Sequence, residues 1–87
     1  MFIKVLPSAK KHGLNDLNIR IALQNCVCQR LKKNEKGNCV SLAIGILQSG
    51  QTVELMYYIN NFEQIVVFHA MSPACNSFIN EIKKKRG

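Results

Sequence analysis

Apolar and polar positions alternate most regularly over residues 39–70. Val40, Leu42, Ile44 and Ile46 alternate with Ser41, Ala43 and Gly45, the period-two pattern of a β-strand. Gln48-Ser49-Gly50-Gln51 is a turn signal, with Gly50 able to take positive φ. Residues 52–59 carry Val53, Tyr57, Tyr58 and Ile59, types that favour strands. Asn60-Asn61 opens a second turn. Residues 64–70 follow with Ile65, Val66, Val67 and Phe68. Short connections make neighbouring strands antiparallel, so the stretch predicts a meander whose last strand ends on His69.

Upstream, residues 2–6 alternate weakly and predict a short strand stopped by Pro7. Residues 8–12 fit one helical turn closed by Gly13. Asn15 is an expected N-cap, with Asp16 in the first turn. Ile19, Ala22, Leu23 and Cys26 then recur at i, i+3, i+4 and i+7, one apolar stripe of a helix running to about Asn25. Residues 27–33 read as a strand, and residues 34–38 as a glycine-bearing hairpin loop. Downstream, Ser72 is an expected N-cap and Pro73 suits the first helical position. Cys75, Phe78, Ile79 and Ile82 form a second helical stripe, which ends on Lys83-Lys84-Lys85-Arg86. The expected architecture is one α+β domain over residues 1–87: a helical N-terminal part, a four-stranded antiparallel sheet and a C-terminal helix covering one sheet face.

Charge adds a partner class. The 87 residues carry twelve Lys and Arg against five acids, a net charge of +7. That surplus favours a polyanion: RNA, DNA, an acidic protein segment or an anionic membrane surface. No apolar run approaches the roughly 20 residues needed to span a bilayer, and the opening residues do not resemble a secretory signal. A cytoplasmic protein with reduced thiols is therefore expected, not attached to a membrane. Cys26-x-Cys28 lacks the spacer of common zinc knuckles and has no second Cys/His pair. No metal or cofactor is expected, and the cysteines read as small buried hydrophobes.

The polar residues with chemical range are few. His12 follows Lys10 and Lys11, His69 ends the last strand, and Glu54 interrupts an apolar strand. Two imidazoles suit acid–base work near neutral pH. Metal-free RNA cleavage needs a base for the 2′-hydroxyl, cations for the phosphate and an acid for the leaving 5′-oxygen. Each residue also has a plainer role: His69 a hydrogen-bonded strand end, His12 a turn residue, Glu54 a surface ion-pair partner. By alternation, one of Tyr57 and Tyr58 points into the core and the other is available to stack on bases.

Pro7-Ser8-Ala9-Lys10-Lys11-His12-Gly13-Leu14, the helix with Ile19, Ala22 and Leu23, Leu42-Ala43-Ile44-Gly45, the turn Gly50, Glu54-Leu55 and His69-Ala70-Met71 occur in that order. This order, over about residues 5–80, resembles the BrnT family of bacterial toxins, in the branch whose last strand ends histidine-alanine-methionine. The resemblance implies a RelE-like ribonuclease fold and a toxin of a type II toxin–antitoxin system that cuts RNA without a metal, stalls translation and is neutralised by an antitoxin. It places Lys11, His12, Glu54 and His69 in the catalytic site. Lys10, Arg20, Lys83 and Lys84 are the expected RNA-binding cations. In the better-known branch the strand ends in arginine, where this chain has Met71; the next cation is Lys83. A cation stabilises the charge developing on the phosphate, so weakened cleavage is expected. The alternatives are a relative that binds an antitoxin or nucleic acid without cutting RNA, and an unrelated basic nucleic-acid-binding domain.

Overall fold

The computed structural model describes residues 2–83. The elements run β1 (Ile3–Val5), a 3-10 turn (Pro7–Lys10), α1 (Asp16–Gln24), β2 (Cys26–Lys33), β3 (Cys39–Ile46), β4 (Thr52–Ile59), β5 (Ile65–Met71) and α2 (Asn76–Lys83). One five-stranded sheet has the order β1-β5-β4-β3-β2. The pairs from β2 to β5 are antiparallel, as their short turns require, but β1 pairs parallel with β5.

That pairing overturns the expected four-stranded antiparallel sheet with a helical N-terminal part. The sheet is five-stranded and mixed, and the described N-terminus enters it as a strand. Ile3 and Val5 lie opposite Ile65 and Val67, and all pack on the same core. Beyond Val5 the chain stays on the edge of β5. The Leu6 N–H donates to the Val67 carbonyl at 3.0 Å, and Ser8 Oγ donates to the Phe68 carbonyl at 2.8 Å. The 3-10 turn therefore continues where the short strand stops, and Ala9 is sealed in the core.

The sheet is covered on both faces. On one, Ile19 and Ala22 of α1 pack on Ala43, Val53, Leu55, Val67 and Ala70. Fully burying side chains such as Ile19, Leu55, Val53 and Val67 contributes about 1.5–3 kcal/mol each. Asn15 caps α1, its Oδ1 accepting from the Asn18 N–H at 2.8 Å. On the other face, Ile82 of α2, with Phe78 and Ile79, packs on Leu42, Ile44 and Met56. The far end of α2 is held at β2, where Arg30 donates to the Glu81 carbonyl at 2.7 Å and Lys32 pairs with the Glu81 carboxylate at 3.3 Å.

The start of α2 departs from expectation. Ser72 and Pro73 precede the helix, which begins at Asn76. The intervening segment is stitched to β4 instead: Ser72 Oγ donates to the Thr52 carbonyl, the Ala74 N–H to Thr52 Oγ1, and the Cys75 N–H to Glu54 Oε1, at 2.8, 3.0 and 2.9 Å. Cys75 thus lies before the helix rather than on its stripe.

Gly45 has a steric reason to be glycine. A Cβ there would lie 1.9 Å from the carbonyl oxygen of Ala22, which belongs to the backbone of α1. The helix can rest on β3 this closely because that position is bare. Gly45→Ala should lift α1 and cost at least about 1–3 kcal/mol, the range for overpacked cores, in urea denaturation. Unchanged stability would show that α1 does not depend on this approach.

Candidate functional site

A break in strand regularity sets the position of His69. On β4, Met56 and Tyr57 are consecutive, but their partners on β5 are His69 and Val67. Phe68 is the extra residue of a β-bulge, a device that re-aims side chains. Strict alternation from Ile65 and Val67 would turn His69 toward α1. The bulge turns it to the other face, beside Met56 and within reach of Glu54.

Glu54 lies on that face, 4% exposed and the one buried charged residue among those described. Its Oε2 is 2.7 Å from His69 Nε2, and its Oε1 accepts the Cys75 N–H. Burial alone pushes this carboxyl up. The hydrogen bonds from the Cys75 amide, His69 and the Cys75 thiol, with the charge on His69, outweigh burial and hold it below the ordinary carboxylate range. A carboxylate only accepts, so His69 Nε2 donates the hydrogen bond to Glu54 Oε2. Glu54 is therefore not a surface ion-pair partner.

His12 comes from the other end of the chain. The 3-10 turn delivers it along the edge of β5, and its ring meets that of His69 edge-on, with centroids 5.6 Å apart and planes at 74°. The His12 side chain is exposed, while that of His69 is 25% exposed. Lys10 and Lys11 precede His12, both exposed. Three of the four expected catalytic residues, His12, Glu54 and His69, thus form one contiguous cluster at the edge of β5, with Lys11 next to His12 in the chain.

The other expected cations are placed elsewhere. Arg20 sits on α1, across the sheet, and pairs with Asp16 one turn earlier. Lys83 is exposed at the far end of α2, near the β2 side rather than the β5 edge. Lys84 lies outside the described residues. Sequence reasoning missed Cys75, which acts on Glu54 chiefly through its backbone amide; backbone donors leave no signature in residue type. Tyr57 is the inward tyrosine, half-buried against the core and donating to Gln29 Oε1 at 2.8 Å. Tyr58 faces the other way, 37% exposed.

Among the described residues, no three His, Cys, Asp or Glu side chains are grouped to hold a metal ion. The four cysteines are free thiols. Burial pushes the Cys26 thiol up, and it donates to the Cys28 carbonyl at 3.1 Å.

The depressed Glu54 pKa has a signed consequence. A carboxyl whose folded pKa is lowered stabilises the fold above its unfolded value, about 4.3, and loses that contribution as pH falls through the folded value. The stability gap between wild type and Glu54→Gln should be widest near neutral pH and close below about pH 4. Chemical denaturation at a series of pH values reads it. A gap of constant size across the series would show that the charge on Glu54 is not what stabilises the site.

No family model, curated protein or solved structure matches the chain.

Proposed function

We propose that the protein is a metal-independent endoribonuclease whose reacting groups are His69 and His12. The observation that carries this reading is the meeting of two imidazoles from opposite ends of the chain, one of them held by a buried carboxylate. Glu54 fixes the tautomer of His69 and stabilises the imidazolium formed when Nδ1 takes a proton, the role a buried carboxylate plays beside other catalytic histidines. His69 is thus the base for the 2′-hydroxyl. The freed 2′-oxygen attacks the adjacent phosphorus, the bond to the 5′-oxygen breaks, and His12 returns a proton to that oxygen. The products are a 2′,3′-cyclic phosphate and a 5′-hydroxyl. Lys11 supplies positive charge to the phosphate as a point charge, without the planar fork of an arginine.

The order of motifs resembling BrnT toxins extends the proposal to a translation-inhibiting toxin neutralised by an antitoxin protein. Free thiols in all four cysteines support a cytoplasmic setting. Among the described residues, no helix is long and apolar enough to cross a membrane. Met71 beside Glu54 favours a second reading, a protein that binds nucleic acid without cutting it, because the position offers no cation.

The test is cleavage of an RNA and its deoxy analogue, with and without a chelator. Wild type should cut only the RNA, be indifferent to the chelator and show a bell-shaped pH dependence. His12→Ala and His69→Ala should each slow cleavage by about 10²–10⁴-fold, and Lys11→Ala by about 10²-fold. Folded wild-type protein that binds the RNA and cuts nothing would establish the second reading. Cleavage that survives all three substitutions would move the site elsewhere.

A further inference from the structure

Alternation from Val67 puts Phe68 on the face to which the bulge turns His69. There the Phe68 ring meets that of Tyr58, with centroids 5.9 Å apart and planes tilted by 37°. Helix α2 covers Leu42, Ile44 and Met56 but not the next row, Val40, Tyr58 and Phe68. That row floors a groove of about 640 Å³ rimmed by Asn38, Asn60 and Asn61. Tyr58 is 37% exposed and its neighbour Ile59 56%.

Three features describe the occupant. The floor offers two adjacent aromatic rings of moderate exposure, a surface on which any base can stack. The Asn60 amide of the rim is bonded within its own turn to Phe62 and Gln64, and Asn38 and Asn61 carry further amides, which donate and accept hydrogen bonds. The charge does not oppose a polyanion: Lys32, opposite Val40, is paired with Glu81, the adjoining hairpin turn holds Lys36 beside Glu35, no acidic side chain is among the described lining residues, and the chain as a whole carries +7. Phe68 and His69 are consecutive, with Cα atoms about 3.8 Å apart, so the floor of the groove adjoins the histidine cluster through Phe68.

We propose that this groove is a stacking platform for single-stranded RNA, holding bases on Tyr58 and Phe68 while the adjoining phosphodiester lies at His12 and His69. The proposal rests on reading the histidine cluster as an RNA site. It deepens that reading by naming the strand state of the substrate. A duplex keeps its bases stacked on one another and cannot offer them to the two rings, so the platform selects unpaired segments.

The experiment measures binding of a fluorescein-labelled oligouridylate of about eight nucleotides, within the usual site size. Its 2′-hydroxyls are methylated so that it cannot be cut, and anisotropy is read at fixed salt. Tyr58→Ala should weaken binding by roughly 10-fold or more, and Phe68→Ala should act in the same direction. Tyr58→Phe, which keeps the ring, should bind as wild type does. A duplex of similar length should bind through charge alone and be indifferent to Tyr58→Ala. Circular dichroism establishes that each variant is folded; if Phe68→Ala is not, the more exposed ring of Tyr58 decides the outcome. Wild-type affinity in Tyr58→Ala would overturn the platform, and so would a Tyr58→Phe as weak as Tyr58→Ala. Failure to bind the oligomer at all would also overturn it, leaving the groove to a protein segment. Protein that cuts no RNA but binds the oligomer through Tyr58 sinks the ribonuclease reading alone. Protein that cuts RNA but is indifferent to Tyr58→Ala sinks the platform alone.

Discussion

The extra residue in β5 is the constraint on which the site depends. In a regular strand, Ile65, Val67 and His69 would share one face, and the imidazole would enter the apolar layer under α1. One inserted residue reverses the phase for the end of the strand. His69 then faces Glu54, Ala70 returns to the core, and Met71 lies opposite Glu54. The same insertion leaves the Phe68 carbonyl to accept from Ser8 Oγ, which fastens the turn leading to His12. Sheet geometry thus aims His69, and a turn fastened to the edge of the same strand brings His12 to it; the half of the site built on a strand holds its angles closely.

Burying Glu54 as a carboxylate is unfavourable unless its oxygens find donors. Here each oxygen has one: an imidazole N–H on Oε2 and the Cys75 amide on Oε1. Among the described residues, no buried side-chain nitrogen or oxygen lacks a partner. The segment between β5 and α2 therefore does more than connect them. Its hydroxyl and amide groups are taken up by Thr52 and Glu54, which sets where α2 starts and how it crosses the sheet to reach Arg30.

Much of the local structure was legible in the sequence. The α1 cap at Asn15, the stripe through Ile19, Ala22 and Leu23, and the strand Thr52–Ile59 follow from short-range periodicity and capping chemistry. The polar set His12, Glu54 and His69 stood out because each interrupts an apolar or basic context. What was not legible is long-range. Three residues at the start of the chain carry no signal that they will pair parallel with a strand some sixty positions later. A bulge leaves the residue types of a strand unchanged, so the face of His69 could not be read. Ser72 and Pro73 look like a helix start because their chemistry suits one, yet the hydroxyl is claimed by the Thr52 carbonyl across the sheet.

The divided bonding of Glu54 links two parts of the molecule that otherwise share little. One oxygen answers to the imidazole at the sheet edge and the other to the amide that opens α2. Removing that one carboxylate would therefore strand an imidazole and a main-chain amide together, loosening the sheet edge and the approach to the helix in a single step.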